Sequence, residues 1–155
     1  MLTISIPGRP DLTLSHLVLD YNGTIAVDGQ LLPEVPALLR DLSQSLTIHI
    51  LTADTYGNVR TQCAGLPAQI HTFPREGAGA CKAEIVSRLG HGVVCMGNGF
   101  NDIPMFQLAD LSVAVLLDEG FCGKLVAHAD IVVKHITDGL ALLQKPDRIR
   151  ADLRN

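Results

Sequence analysis

Asp20, Thr52, Lys82 and the run Gly97-Asn98-Gly99-Phe100-Asn101-Asp102 are the residues whose types and spacing can do chemistry. Asp20 directly follows the apolar run Leu17-Val18-Leu19, and the chain then turns through Asn22-Gly23 to Thr24. An acid straight after such a run is costly to bury unless it is partnered. A carboxylate, a hydroxyl, an ammonium and a second carboxylate suit a phosphoryl group. That group spreads charge over three oxygens, so catalysis on it is mainly positioning and charge stabilisation. Asp20 can attack phosphorus and carry it as an aspartyl phosphate. Lys82 supplies a fixed positive charge, and Thr52 with nearby backbone amides such as that of Ala53 can donate to phosphate oxygens. Asp102 and the Asn98 amide could hold Mg²⁺ beside Asp20, since that ion takes oxygen ligands and keeps several waters. Gly23, Gly97 and Gly99 let backbone approach an anion closely.

The segment Asp20-Tyr21-Asn22-Gly23-Thr24 resembles the nucleophile motif of the haloacid dehalogenase (HAD) superfamily. Thr52, Lys82 and Gly97 to Asp102 follow in the order of that superfamily's remaining motifs. The match runs from His16 to Asp110. Gly-x-Gly-x-Asn-Asp is closest to the phosphorylation domain of P-type ATPases, and the chain looks like the small soluble proteins related to it. The resemblance implies a three-layer α/β/α Rossmann-like fold with a mostly parallel central sheet and a small β-hairpin flap after the nucleophile. It implies Asp20, Thr24, Thr52 and Lys82 as catalytic residues, and Asn22, Gly23, Ala53 and Asn101 as phosphate-binding residues. It implies a Mg²⁺ site of Asp20, Asn22 (through its backbone carbonyl), Asn98 and Asp102.

Two positions depart from the hydrolytic pattern. Asn22 stands where most phosphatases of the group place a second Asp, and an amide cannot protonate a leaving alkoxide. General acid–base help is worth about 10²–10⁴-fold. Esters with strongly basic leaving groups should therefore suffer most, and acyl phosphates, aryl phosphates or ATP least. Asn98 replaces a common Asp and removes a negative charge near the metal. The expectation is a Mg²⁺-dependent phosphohydrolase, phosphatase or ATPase-like, acting on a phosphorylated small molecule or ATP with slow dephosphorylation. The alternatives are a regulatory phospho-acceptor module, whose phosphorylated form is the signal, and a structural protein with a relic site. Receiver domains share the Asp, Thr and Lys chemistry, but they usually cluster extra acids near the chain start, where this chain has Leu2-Thr3-Ile4-Ser5.

These residues need strands and helices to hold them. The spacing predicts a hairpin from Met1–Ile6 and Leu12–Leu14, then a strand ending at Asp20. Asp28-Gly29 between apolar pairs predicts the flap hairpin. Pro33 is expected to open a helix, with Glu34 in its first turn. A strand over 46–51 ends at Thr52. A helix over 55–64, capped by Asp54 or Thr55, leads to a strand over 69–73. A loop over 77–80 precedes a helix over 81–89 that Lys82 begins. The remaining expectations are strands over 93–96, 111–116 and 131–133, and helices over 102–108, 120–128 and 137–143. Strands alternating with helices imply a parallel sheet covered on both faces.

The 155 residues fit one domain without a cap. At 47% hydrophobic residues the chain should fold around a core. A net charge of −4 argues against a nucleic-acid binder. No apolar run reaches the ~20 residues that cross a bilayer, and neither signal peptide nor membrane partner is expected. Cys63, Cys81, Cys95 and Cys122 form no Cys-x-x-Cys, so reduced core thiols and a cytoplasmic setting are expected. An uncapped site invites cover by homo-oligomerisation.

Each residue also has a bland reading. Lys82 alone is a solvated helix charge, and Asn98, Asn101 and Asp102 are turn and N-cap residues. Gly97-x-Gly99 is no dinucleotide fingerprint, because position 102 is Asp. His16, His49, His71, His91, His128 and His135 show no cluster in sequence and read as structural or surface residues. Tyr21 and Phe100 either line the mouth of the site or pack in the core. The basic tail from Lys145 to Arg154 reads as solvated helix or frayed terminus.

Overall fold

The apolar runs at 17–19, 48–51, 93–96 and 111–115 become the inner strands of one sheet. The computed structural model describes residues 1–54 and 56–155. Within it β3 (His16–Asp20), β6 (Thr47–Thr52), β7 (Ala68–Thr72), β8 (Val93–Gly97), β9 (Leu111–Val115) and β10 (Ile131–Val133) form a six-stranded sheet in the order β10-β9-β8-β3-β6-β7. Every neighbouring pair is parallel. Near-continuous burial of β3, β8 and β9 fits strands covered on both faces.

Two apolar layers provide that cover. On one face Leu17, Leu19, Ile48, Ile50 and Met96 pack with Leu39 of α1 (Val35–Leu42), Leu140 of α5 (Ile136–Gln144) and Ile149 of α6 (Asp147–Leu153). On the other, Val18, Leu51, Cys95 and Ala114 pack with Val86 of α3 (Ala78–Leu89) and with Met105 and Phe106 of α4 (Ile103–Phe106). The result is three layers, as the alternating pattern implied. The chain builds from β3 toward β7 and then returns to β8 on the other side. That reversal leaves a crevice at the carboxyl ends of β3 and β8, where open α/β sheets bind ligands.

Two small hairpins flank the sheet. β1 (Leu2–Ile4) pairs with β2 (Leu12–Leu14), and β4 (Ala26–Val27) pairs with β5 (Gln30–Leu31) as the flap. The flap turns through Asp28 at φ 50° and Gly29 at φ 77°, both left-handed, which is what a tight two-residue hairpin turn demands. The Gly29 carbonyl accepts from the Tyr21 hydroxyl at 3.2 Å and the Asn58 amide at 3.3 Å. The Gln62 side chain accepts from the Leu31 amide at 3.1 Å.

Several boundaries differ from the sequence expectation. α1 begins at Val35, with Glu34 as its N-cap and Pro36 in the first turn, where a residue without an N–H costs nothing. In place of a helix over 55–64, α2 spans Val59–Gln62. The expected cap at Thr55 lies outside the described residues, but the Asp54 carboxylate does accept from the Val59 amide at 3.1 Å. α3 starts at Ala78 after a left-handed Gly77, so Lys82 lies a full turn inside the helix rather than at its start. The helix expected over 102–108 is a 3₁₀ turn over Phe100–Asp102 followed by α4. The one expected over 120–128 is 3₁₀ over Gly123–His128. The basic tail is α6, anchored by buried Ile149.

The histidines need a correction. His16, His49 and His71 stand in a row on adjacent strands. The His16 Nδ1 lies 3.2 Å from the His49 Nε2, and the His49 Nδ1 lies 3.2 Å from the His71 Nε2. No sequence spacing reveals this, because it arises from register: Thr47 faces His16, and Leu51 faces His71. Burial and the two neighbouring rings lower the pKa of His49 to about 4, so it is neutral at pH 7. Among the described residues no group of three His, Cys, Asp or Glu side chains is placed to hold a metal ion. No helix among them is long and apolar enough to cross a membrane.

Candidate active site

Asp20 ends β3, in the crevice made by the reversal of strand order. From α3, packed against the same face, Lys82 reaches across. Its ammonium donates to Asp20 Oδ1 at 2.6 Å, to Asp102 Oδ1 at 2.6 Å and to Asn101 Oδ1 at 3.3 Å. Lys82 is 1% exposed and Asp102 is fully buried. An ammonium is buried this deeply only when paired. Burial alone would lower the pKa of Lys82, but Asp20 and Asp102 outweigh that and hold it raised. The lysine is therefore a permanent cation.

The two carboxylates differ in their surroundings. Asp102 Oδ2 accepts from the backbone amides of Asn98 at 2.9 Å and Gly99 at 2.8 Å. This pins the loop after β8 in place. Gly97 is required by that arrangement, since a Cβ there would lie 2.5 Å from the Asp102 carboxyl carbon. Asp20 receives one hydroxyl, from Thr24 at 3.2 Å on Oδ2. Burial and then the Asp102 charge raise its pKa to about 6, against the pull of Lys82. At pH 7 Asp20 is ionised and poorly solvated, which are the properties of an activated carboxylate nucleophile.

A hollow of about 200 Å³ opens above this group. Asp20, Asn22, Thr52, Ala53, Lys82, Asn98, Gly99 and Asn101 line it. Eight of the residues singled out from the sequence for the site thus converge, counting Gly99. Thr24, Gly23 and Asp102 do not reach the hollow. Thr24 is fully buried behind Asp20 and holds its second oxygen. Gly23, at φ 75°, packs so closely that a Cβ would meet the Asn98 amide nitrogen at 2.2 Å. The Asn98 Nδ2 donates to the Gly120 carbonyl at 3.2 Å, a support that no sequence signal announced. Thr52 Oγ1 accepts from the Asp54 amide at 2.8 Å, which leaves its own proton for an anion in the hollow. Asp54 adopts a left-handed φ of 45° there.

The oxygens at this end fit a divalent cation. The Asn22 side-chain oxygen is buried and has no hydrogen-bond partner, an acceptor left over in a hollow it lines. Asp20 and the Asn98 amide add further oxygens to the lining, with the Asp102 carboxylate behind Lys82 adding negative charge, and a set of oxygens alone suits Mg²⁺. The unpaired Asn22 atom belongs to the side chain, whereas the resemblance had pointed to the backbone carbonyl.

No protein-family model matches the chain. The uncharacterized protein MJ0073 of Methanocaldococcus jannaschii is 41% identical over 63 residues, covering 41% of this chain and 68% of that one. Among solved structures, the cobalt-bound deoxy-D-mannose-octulosonate 8-phosphate phosphatase of Haemophilus influenzae superposes with a TM-score of 0.71 at 11% identity. That match covers 93% of this chain and 95% of the other. The 3-deoxy-D-manno-octulosonate 8-phosphate phosphatase of Moraxella catarrhalis, in complex with magnesium, phosphate and KDO, superposes with a TM-score of 0.68 at 15% identity over 89% of this chain and 90% of that one. The chain has the fold of these phosphatases, and by sequence it belongs to one family with the M. jannaschii protein.

Proposed function

We propose that the protein is a Mg²⁺-dependent phosphohydrolase of the capless HAD type that forms an aspartyl phosphate on Asp20. The observation that carries this reading is the Lys82 ammonium held at 2.6 Å from both Asp20 and Asp102 at the floor of an open hollow. A buried cation flanked by two acids is costly as mere architecture. It is useful where a dianion must approach a carboxylate.

The chain's own residues divide the work. Asp20 supplies the nucleophilic oxygen, and Thr24 fixes its orientation. Lys82 offsets charge on the phosphoryl oxygens, joined by the Thr52 hydroxyl and the Ala53 amide. Asn101 and Gly23 complete the phosphate-binding set, Gly23 by holding Asn98 in place. Asp20, Asn22, Asn98 and Asp102 would hold the Mg²⁺, which when bound offsets the charge between nucleophile and phosphate. Asn22 offers no proton to a leaving group and takes none from water. Both the range of good substrates and the rate of dephosphorylation are limited by that.

Phosphate release from a panel of monoesters and ATP with Mg²⁺ tests the reading, with Asp20→Asn as the control. Turnover that falls by about 10³-fold or more in the variant is expected. Equal turnover by both proteins would remove Asp20 from the chemistry. Asn22 also favours a second reading, in which slow breakdown makes the phosphorylated form a signal. Intact-mass measurement after acetyl phosphate and Mg²⁺ separates the two: an adduct that persists for hours favours the signal, and one that never accumulates favours rapid turnover.

A further inference from the structure

A second hollow, of about 390 Å³, adjoins the first. Asn101 lines both. Its Oδ1 accepts from the Lys82 ammonium at 3.3 Å. The other walls are Ala78, Ile103, Pro104 and the backbone at Gly77 and Gly79. Phe100 stands at the rim with 65% of its surface exposed. Among the described residues Arg75 is the one charged side chain on the walls, and the Lys124 ammonium lies 5.9 Å from the Phe100 ring centre.

We propose that this hollow receives the leaving group of the substrate and that the substrate is a phosphate monoester of a phenol. This rests on the phosphohydrolase reading and adds to it. Two independent observations meet here. The first is chemical: Asn22 cannot protonate the departing oxygen, so the ester must leave as a weakly basic anion, as a phenolate does. The second is shape. An apolar cavity of about 150 Å³ already holds a benzene ring, so the hollow has room for an aryl group with substituents. A flat ring gains from Phe100 by stacking, while a short polyol would gain nothing from walls of Ile103, Pro104 and Ala78.

The transfer balances without a proton donor. An Asp20 oxygen bonds to phosphorus as the bond from phosphorus to the phenolic oxygen breaks. The bonding pair leaves on that oxygen, and the phenolate takes a proton from water. A second water then bonds to phosphorus, and the link to Asp20 breaks with its pair returning to the carboxylate. The proton lost by that water goes to the phosphate released.

The test compares phenylphosphonate with methylphosphonate by calorimetry with Mg²⁺ present, and phenyl phosphate with ethyl phosphate by turnover. A tyrosine-phosphorylated peptide forms a further arm that distinguishes a protein side chain from a small phenol. The phenyl compounds are expected to bind roughly 5- to 50-fold more tightly than the methyl one, and either phenolic ester should outpace the alkyl ester. Phe100→Ala should remove most of that margin and leave methylphosphonate binding unchanged. Ile103→Asp, which puts a charge in the wall, should do the same by a different route. If both phosphonates bind equally, or the margin survives both variants, the aryl subsite is overturned while Asp20-dependent turnover still upholds the phosphohydrolase reading. If no ester turns over and neither phosphonate binds, the phosphohydrolase reading fails and this inference fails with it.

Discussion

His16 and Asp20 lie on the same face of β3, one at each end, and each anchors a buried polar group. The two groups solve the same problem in opposite ways. At the amino end the row avoids a charge at its centre: burial lowers the pKa of His49 to about 4 and lowers that of His71, and His49 shares hydrogen bonds with the rings on either side. At the carboxyl end, Asp20, Lys82 and Asp102 keep their charges and pair them. Neutrality suffices where only packing is at stake. Retained charge suits the proposed reception of an anion at that end, and it makes that end expensive to break.

The largest expected effect lies there. Lys82→Met leaves two carboxylates buried without a cation and should cost about 3–5 kcal/mol in urea unfolding at pH 7. A loss below about 1 kcal/mol would mean the ammonium is far better solvated than its 1% exposure implies. Next in size is Asn22→Asp, which adds a titratable acid to the lining of the hollow. It should raise hydrolysis of alkyl phosphates by about 10- to 100-fold while changing phenyl phosphate little. An equal gain on both esters would detach position 22 from the leaving group.

Asp20→Asn should separate stability from function. Because the folded state raises the Asp20 pKa to about 6, its ionised form costs free energy at pH 7. The variant should melt at a higher temperature, by about 1–2 kcal/mol of added stability, while losing turnover. A lower melting temperature would show that Asp20 stabilises the fold. The smallest effect belongs to the histidine row. His49 titrates near 6.5 when unfolded and near 4 when folded, so between those values the unfolded chain binds more protons. Stability should therefore be full above pH 6.5 and fall as pH drops toward 4. His49→Leu should flatten that part of the profile, as followed by urea midpoints at a series of pH values. An unchanged slope would assign the loss to other groups.

The sequence was most legible where chemistry and local pattern coincide. Asp20 after three apolar residues, the Asp28-Gly29 turn and the strand–helix alternation led directly to β3, the flap and the three layers. Lys82 was legible as a residue but not as a position. Its helix starts at Ala78 because left-handed Gly77 allows the earlier turn and Gly79 fits against the Asn101 carbonyl. The histidine row was invisible because it depends on the register of three strands distant in sequence. Tyr21 and Phe100 looked alike in the sequence, yet Tyr21 is buried under the flap and Phe100 stands at the rim. Nothing local separates two aromatics that each lie just past the end of a strand.

The flap has one more consequence. Its tip is tied down by Tyr21 and Asn58, and its outer strand by Gln62, so it behaves as a fixed strut and not as a door. The flap then leaves the mouth of the hollow open in the single chain. For the aspartyl phosphate proposed at Asp20, such a strut offers no shelter, and its lifetime is expected to follow the reactivity of the acyl phosphate itself.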